Sequence, residues 1–245
     1  MNNDQTVDVV IPLTHDITGN FEELRYCLRS IDKNVKDVGT VYILGPYKPL
    51  WLTNVTFHYM GDPHKYNKDA NIINKVLTAA ELFNLGNFLF WSDDQVIIQE
   101  AYLNNMPPVY NSRPAEAFNV PDGNRWHRRV FNTFEYLNTL GIDLKHNYES
   151  HVPQRYNGKV LLDVMKDVKY TGIPGYTINT LFMGLLGVQG GIAQSAIKIT
   201  SEGNYDNLAQ QTDRILFYGY DAAGFDKTAR AKVIEWFPDK SKYEL

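Results

Sequence analysis

The stretch FLFWSDDQV, residues 88–96, decides the fold class. Its first four residues form a short, continuously apolar run, which is typical of a strand buried on both faces of a parallel sheet. Polar residues follow directly, and two of them are the adjacent carboxylates Asp93 and Asp94. In open α/β sheets ligands bind beyond the carboxyl ends of the strands. This position is therefore the first place to look for a binding site.

The chain before this stretch alternates strand and helix patterns. Three runs of apolar and β-branched residues, 7–13, 40–44 and 55–60, are bounded by proline or glycine and predict strands. Between the strands, apolar residues recur every three or four positions over residues 21–35 and 69–86, which predicts two amphipathic helices. Strands that alternate with helices predict an α/β fold, in which a Rossmann-type, mostly parallel sheet is flanked by helices.

After residue 96 the pattern changes. We expect helices over residues 125–140 and 228–237, a strand over 214–220, and a strand-like, glycine-punctuated segment over 176–199. No internal repeat or long linker divides the sequence, so we expect a single domain over residues 1–245 with an elaborated C-terminal half.

The composition excludes several classes of protein. Of the 245 residues, 44% are hydrophobic and 21% charged, which excludes collagen-like, low-complexity and wholly disordered chains. The formal net charge of −4 provides no overall attraction to nucleic acid or acidic membranes, although a local basic patch stays open. The single cysteine, Cys27, cannot form an internal disulfide, and we see neither a signal peptide nor an apolar run of membrane length. We expect a cytoplasmic protein with no membrane partner, and the oligomeric state stays open.

The paired carboxylates favour a metal site. Two adjacent carboxylates at the end of a buried strand repel each other and are costly to desolvate unless a cation lies nearby. Mg²⁺ or Mn²⁺ binds one or two carboxylates together with phosphate oxygens. The alternative is a solvated turn.

The blocks VVIPLTHD, LRSI, VYIL and FLFWSDDQV resemble, in this order, nucleotide-sugar glycosyltransferases of the A-type (GT-A) fold. In that family a D-x-D motif ends a central strand and binds the metal and the donor diphosphate. The resemblance implies that Asp94 is the main metal ligand and a catalytic residue, and that Asp93 or Ser92 lies nearer the donor ribose. The motif here begins with Ser92 instead of an aspartate. The resemblance also implies a UDP-sugar donor, Mn²⁺ or Mg²⁺, a nucleotide-sugar-binding half over residues 1–100 and an acceptor-binding half over 101–245.

Almost the whole chain is similar to Stealth-type sugar-phosphate transferases of capsule synthesis. The similar blocks are LRSIDKNV, WLTNVTFHYM, NKDANIINKVL, FLFWSDDQVII, SHVPQRYNGKVL and VIEWFPDKSKYEL. The chain also resembles compact phage DNA-hypermodifying (TET-associated) glycosyltransferases, which are short, soluble and without an anchor. We predict a metal-dependent glycosyltransferase whose hydroxyl acceptor is 5-hydroxymethylcytosine in phage DNA. The alternatives are a Stealth-like sugar-phosphate transferase, a glycosyltransferase of polysaccharide synthesis, and a non-catalytic module that binds sugar nucleotides.

Other residues near the predicted sheet edge are candidates to bind the donor: Thr14, Asp16, Lys65, Lys68 and Asn71. Related enzymes place the donor base and ribose at the end of the first strand, where Thr14 and Asp16 lie. Lysines beside a helix N-terminus suit a diphosphate, and the alternative is solvated lysines around a capping Asp69. A-type glycosyltransferases often complete the metal shell with a downstream histidine, which implies His151, and the alternative is a histidine with a structural hydrogen bond.

Two further sets of residues concern the acceptor. An inverting transfer needs a carboxylate that deprotonates the acceptor hydroxyl, and the candidates are Glu149 and Asp221, with a structural or solvated carboxylate as the alternative. The densest basic stretch predicts an acceptor-binding surface composed of Arg113, Arg125, His127, Arg128 and Arg129. There the arginines would contact DNA phosphates, and His127 or a nearby aromatic residue would stack on a flipped base. The alternative is a solvated helix face.

Overall fold

The architecture is that of a computed structural model. It describes residues 6–15, 20–113, 115–193, 196–199, 216–220, 225 and 229–245, and of residues 118 and 196–199 it describes the backbone alone. Two of the predicted site residues, Asp16 and Asp221, lie outside the described residues.

The described strands are β1 (Val7–Pro12), β2 (Val38–Gly45), β3 (Thr56–Tyr59), β4 (Asn87–Phe90), β5 (Gln95–Ile97), β6 (Val109–Tyr110), β7 (Gln154–Asn157), β8 (Ile192–Ala193), β9 (Ala196–Ile199) and β10 (Phe217–Tyr220). The described helices are α1 (Glu22–Asn34), α2 (Lys68–Leu82), α3 (Arg125–Thr139), α4 (Gly158–Met165), α5 (Ile178–Leu185) and α6 (Arg230–Trp236), with a 3-10 helix at Ala115–Phe118.

A five-stranded sheet in the order β3-β2-β1-β4-β7 forms the centre of the fold. Strands β1 to β4 are parallel, and β7 is antiparallel to β4. Apolar residues cover both faces of β1, and Val9 and Val10 are each fully buried. The predicted α/β fold with a mostly parallel sheet flanked by helices is confirmed.

A second, three-stranded sheet follows directly from the first. Its order is β5-β10-β9, with β10 antiparallel to β5 and parallel to β9. Strand β5 begins just after Asp94, so the chain passes from the central sheet to the second sheet through Ser92, Asp93 and Asp94. The short strands β6 and β8 form a separate parallel pair.

The N-cap of helix α2 lies two residues before the predicted cap, Asp69. The side chain of Asn67 accepts a hydrogen bond from Ala70 N (3.0 Å) and is the N-cap. The prediction that Asp69 caps this helix is therefore wrong, because Asp69 lies inside the first turn. The apolar stripe of α2, with Ile73 and Val76 fully buried, packs against the central sheet.

The strand-like prediction for residues 176–199 is wrong in its first half, where α5 forms. Residues 178–184 are all buried. A helix that is buried on every side shows no amphipathic stripe, so its sequence is hard to distinguish from that of a buried strand. The predicted strand at 214–220 is present as β10 within its described residues, and the predicted helix at 228–237 is present as α6.

The last residues form a C-terminal clasp, defined as residues 237–245, which packs on α1 and on the loop after β2. Glu244 accepts two hydrogen bonds from Arg29 of α1, at 2.7 Å from Nε and 2.9 Å from Nη2. The backbone of the clasp pairs with the loop through Leu245 N to Trp51 O (2.8 Å) and Thr53 N to Tyr243 O (2.9 Å). Among the helices of the described ranges, none combines the length and the apolar character that crossing a membrane requires.

Candidate functional site

The carboxyl ends of the parallel strands bring polar residues together at one edge of the central sheet. Thr14 follows β1, Tyr47 follows β2, Asp62 follows β3, and Ser92 begins the turn after β4. The N-terminus of α2 lies at the same edge, because α2 connects β3 to β4. This is the edge at which ligands bind in open α/β sheets.

Asp93 and Asp94 form the turn between the two sheets, with half-buried side chains. The turn is fixed by hydrogen bonds from Gln95 N to Ser92 O (3.3 Å) and from Tyr220 N to Asp94 O (3.1 Å). Burial raises the pKa of the Cys27 thiol well above its usual range, and the charges of Asp93 and Asp94 raise it further. The carboxylates of Asp93 and Asp94 thus place negative charge beside the buried Cys27, where a cation is favourable because it offsets that charge.

His151 reaches this turn through the antiparallel strand β7. Phe90 at the end of β4 pairs with Gln154 at the start of β7, so the residues before β7 lie beyond the carboxyl end of β4. The carbonyl oxygens of Asp94 and His151 lie 3.6 and 3.8 Å from the position that a Cβ on Gly219 would take. The structure therefore brings the backbones of His151 and Asp94 together, and the role of His151 as a metal ligand stays a prediction.

The backbone of His151 is strained. Its φ of 54° lies in the left-handed region, which is costly for residues other than glycine. Such strain persists where the surroundings impose it, and it is concentrated at functional sites. The neighbouring contacts of Ser150 and Gln154 with Val109 O (3.0 and 2.6 Å) hold this loop in place.

The oxygen donors of the turn fit one kind of metal site. Within the described residues, no three side chains of histidine, cysteine, aspartate or glutamate form a group that could hold a metal ion by themselves. Mg²⁺ is usually held by one or two carboxylates together with substrate phosphates and water, without an all-protein cage. Asp93 and Asp94 therefore fit a metal that is completed by a diphosphate, and they do not fit a closed structural metal centre.

Glu149 lies near the same edge, at the N-terminus of α5. Its Oε1 accepts a hydrogen bond from Thr180 N (2.9 Å), and its Oε2 lies 3.5 Å from Asn179 Nδ2. Asn147 accepts hydrogen bonds from Glu149 N and from the Thr180 hydroxyl, both at 2.9 Å. Burial raises the pKa of Glu149 to about 7, although the hydrogen bonds from Thr180 oppose the shift. A carboxylate with such a pKa is suited to exchange protons near neutral pH.

Arg129 does not lie on the exposed face that the sequence predicts for it. It is buried, and its Nε lies 2.9 Å from Asp69 Oδ2, so the ion pair joins α3 to the first turn of α2. The prediction that Arg129 faces solvent is therefore wrong, and its contact with the acceptor stays a prediction. Of the other predicted acceptor residues, Arg113, Arg125 and Arg128 are exposed and His127 is half-buried.

The predicted donor residues beside α2 divide into two groups. Lys65 and Lys68 are exposed at the sheet edge, which leaves them accessible to a ligand. Asn71 is buried, and its side chain accepts from His64 N (2.9 Å) and donates to His64 O (3.1 Å). Both ends of that amide bind the loop before α2, which gives Asn71 a structural role, and its contact with the donor stays a prediction.

Two residues of the site were missed by sequence reasoning. Lys75 of α2 is buried and donates a hydrogen bond to Leu13 O (2.7 Å), and it forms an ion pair with Asp62. The other oxygen of Asp62 accepts from the Thr14 hydroxyl (3.1 Å). The sequence contained one signal for the burial of Lys75. It lies four residues before Ala79, and residues four apart lie on the same face of a helix, here the buried face.

Comparison with solved structures identifies glycosyltransferases of low sequence identity. An apo structure of the bifunctional glycosyltransferase WbbM matches 97% of this chain with a TM-score of 0.53 and 11% identity. This chain spans 50% of that protein. An active-site mutant of LgtC matches over 94% of this chain and 95% of its own, with a TM-score of 0.50 and 12% identity. The fold is GT-A-like. No family model and no curated protein matches the sequence.

Proposed function

We propose that this protein is a nucleotide-sugar-dependent glycosyltransferase that transfers a sugar to a hydroxyl group. The observation that carries the proposal is the Asp93–Asp94 turn at the carboxyl end of β4, in a GT-A-like sheet, with the backbone of His151 beside it. An acidic turn at this position suits a metal-bound diphosphate, because the carboxylates bind the metal and the metal offsets the charge of the phosphates.

The donor is assigned to the edge formed by β1, β4 and α2. Asp94 and His151 are proposed to hold Mn²⁺ or Mg²⁺, with Asp93 or Ser92 nearer the ribose of a UDP-sugar. When bound, the metal supplies Lewis acidity that stabilises the diphosphate leaving group. The exposed Lys65 and Lys68 supply positive charge for the same phosphates near the N-terminus of α2.

Glu149 is proposed as the general base. Its carboxylate is held by α5, which fixes its direction, and the raised pKa suits proton transfer near neutral pH. The proton of the acceptor hydroxyl would move to a carboxylate oxygen of Glu149 as the oxygen attacks the sugar. Asp221, which follows Tyr220 in sequence and lies outside the described residues, is the alternative base.

The proposed acceptor is 5-hydroxymethylcytosine in DNA, with a glycan hydroxyl as the alternative. The described structure supports DNA through three exposed arginines, Arg113, Arg125 and Arg128, which suit phosphate contacts. If they bind DNA, affinity falls with salt concentration, and Arg125→Ala with Arg128→Ala reduces that dependence.

The test is a transfer assay read by mass spectrometry. The protein is incubated with Mn²⁺, a panel of nucleotide sugars, and either a DNA duplex that contains 5-hydroxymethylcytosine or a matched duplex that contains cytosine. A hexosyl adduct on the hydroxymethylated duplex alone supports the whole proposal. An adduct that carries a sugar phosphate indicates the Stealth-like chemistry instead. The glycosyltransferase proposal is contradicted if neither product forms with DNA or glycan acceptors and if no donor is hydrolysed in a metal-dependent way. That result would indicate a non-catalytic module.

A further inference from the structure

Gln154 is a buried residue that the proposed chemistry does not use. It is fully buried at the start of β7, and its side-chain amide is hydrogen-bonded at both ends. Its Oε1 accepts from Val109 N (3.2 Å), and its Nε2 donates to Val109 O (2.6 Å) and to the Ser150 hydroxyl oxygen (3.0 Å). The carbonyl oxygen of Tyr148 lies 3.4 Å from the same nitrogen. The amide therefore forms with Val109 the paired N–H and C=O contacts that a neighbouring strand would form.

This amide closes one loop on itself. The site loop, defined as residues 148–154, has Tyr148 at one end and Gln154 at the other, and the amide reaches back from the second end to the first. In the middle of the loop the hydroxyl of Ser150, which is also fully buried, donates to Val109 O (3.0 Å), so β6 binds the loop at two positions. Because buried polar groups are costly without partners, the loss of one member of this network destabilises the others.

The site loop carries both the proposed base and the proposed histidine ligand. Glu149 precedes Ser150 and His151 follows it, so each lies one residue from a contact with β6. His151 has a φ of 54°, a conformation that is costly for histidine and persists where the surroundings impose it. The hydrogen bonds of Gln154 and Ser150 with Val109 close the loop around this residue. A change in that network therefore displaces both side chains together.

We propose that Gln154 is a positioning residue that holds the site loop in the geometry on which the proposed roles of Glu149 and His151 depend. The inference rests on the proposed function, because that function assigns the base and the metal ligand. Gln154 itself touches no substrate in this proposal. Its importance follows from the sensitivity of catalysis to position, since a displacement of about 1 Å at the reacting groups can lower a rate by about 100-fold.

A merely structural role of Gln154 predicts a different result from a positioning role. Gln154→Met retains the length of the side chain but leaves the buried Val109 N–H without this partner, so both roles predict a lower free energy of unfolding. Only the positioning role predicts that the effect on the site disappears when the positioned residue is absent. The experiments are therefore double-mutant cycles.

The first cycle combines Gln154→Met with His151→Ala. Calorimetry with Mn²⁺ present measures the affinity for the nucleotide sugar that binds wild type most tightly. We expect Gln154→Met to weaken this binding roughly tenfold, the lower end of the usual effect of a residue that orients a metal ligand. In the His151→Ala background the same substitution should weaken binding by less than about twofold. Equal losses in the two backgrounds overturn the positioning of His151.

The second cycle combines Gln154→Met with Glu149→Gln. It is read as the kcat of donor hydrolysis, in which water takes the place of the acceptor. We expect Gln154→Met to lower kcat roughly tenfold when Glu149 is present and by less than about twofold in the Glu149→Gln background. Equal losses in the two backgrounds overturn the positioning of Glu149.

The matched control is Asn157→Ala, at the other end of β7. Its side chain accepts from Val160 N (3.2 Å) and caps α4, so the substitution lowers stability, whereas donor affinity and kcat should stay at wild-type values. If Gln154→Met does not fold, both cycles are performed with Ser150→Ala, which removes one hydrogen bond of the same network. The same dependence on His151 and Glu149 is expected.

The failures of the two proposals are distinguishable. Wild-type donor affinity and kcat in folded Gln154→Met overturn this inference and leave the proposed function intact. If no nucleotide sugar binds wild type in the presence of Mn²⁺, the proposed function is overturned and this inference with it.

Discussion

At the level of single residues, the structural contact of Glu149 and its proposed catalytic role can be separated by substitution. Its carboxylate accepts a hydrogen bond from Thr180 N (2.9 Å) in the first turn of α5. The amide oxygen of a glutamine can accept the same bond, but the amide cannot act as a general base. The substitution Glu149→Gln therefore preserves the helix contact while it removes the proposed proton acceptor.

We predict that Glu149→Gln lowers kcat by roughly 10²- to 10⁴-fold, the usual contribution of a general base. The Kd for the donor should stay unchanged, because the base contacts the acceptor. Steady-state kinetics and calorimetry measure the two quantities. The matched control is Glu81→Gln, an exposed glutamate of α2, which should retain wild-type kcat. A wild-type kcat in Glu149→Gln excludes this residue as the base.

The sequence predicted site residues that are local to a motif better than those that depend on a distant partner. Asp93 and Asp94 were predicted because an apolar strand precedes them directly. Arg129 was misassigned to an exposed face because its partner, Asp69, lies on another helix. Lys75 and Asp62 were missed for the same reason, since their pairing requires the packing of α2 on the sheet.

At the level of elements, the contact between α5 and α3 depends on a glycine. A Cβ at Gly184 would lie 2.5 Å from Cδ1 of Leu137, which is fully buried. We predict that Gly184→Ala lowers the free energy of unfolding by up to about 2 kcal/mol, because an overpacking cost of about 1–3 kcal/mol outweighs the gain in helix propensity of about 1 kcal/mol.

Urea denaturation measures this change. The control is Gly172→Ala, where a Cβ would meet no atom within 4 Å, and its free energy of unfolding should match that of wild type. If Gly184→Ala is as stable as the control, the result contradicts the close contact between Gly184 of α5 and Leu137 of α3.

The C-terminal clasp contributes stability that depends on pH. Burial alone would raise the pKa of Glu244, but hydrogen bonds from Arg29 and from the Ser241 backbone, with the charges of Arg29 and Arg25, lower it overall. A carboxylate whose pKa is lower in the folded state stabilises the fold above its unfolded pKa, which is about 4.3. This stabilisation is lost as the pH falls through the folded pKa.

We predict that Glu244→Gln lowers the free energy of unfolding at pH 7 by roughly 1–3 kcal/mol, because the half-buried Arg29 loses the carboxylate that accepts two of its hydrogen bonds. The difference from wild type should shrink as the pH falls below about 4. Thermal or urea unfolding across pH 3–8 measures both effects, with the exposed Glu235→Gln as control. A difference that is independent of pH contradicts the assigned ion pair.

How well an element could be predicted depended on its pattern. Strands β1, β2 and β4 are apolar runs between strong breakers, and α1 and α3 have one apolar face, so the sequence predicted all five. Helix α5 was missed because residues 178–184 are buried on every side and carry no periodic signal. Strand β7 was also not predicted, and neither was its antiparallel direction, since strand direction depends on the whole chain path.

At the level of the whole molecule, the apolar core joins the two predicted halves. One cluster includes Val9 of β1 with Val152, and the other includes Phe88 of β4 with Leu161 of α4. Because both faces of the central sheet are covered by residues from both halves, separate unfolding of either half would expose part of the other half's core.

We therefore predict one cooperative unfolding transition. Far-UV circular dichroism and tryptophan fluorescence should give coincident urea midpoints. The fluorescence reports on both halves, because Trp51 and Trp91 lie in one and Trp126 and Trp236 in the other. Two separated transitions would contradict the single-domain prediction for residues 1–245.

The most direct test of the central claim is donor binding with and without Mn²⁺. Calorimetry is performed with a panel of nucleotide sugars on wild type, Asp94→Asn and the exposed control Asp167→Asn. The acidic turn predicts that one donor binds wild type and the control only when Mn²⁺ is present. Asp94→Asn should bind that donor at least roughly tenfold more weakly, a loss of about 1.4 kcal/mol. Binding that is equal with and without Mn²⁺ and equal in Asp94→Asn, or no donor binding at all, would contradict the assignment of this turn as the donor site.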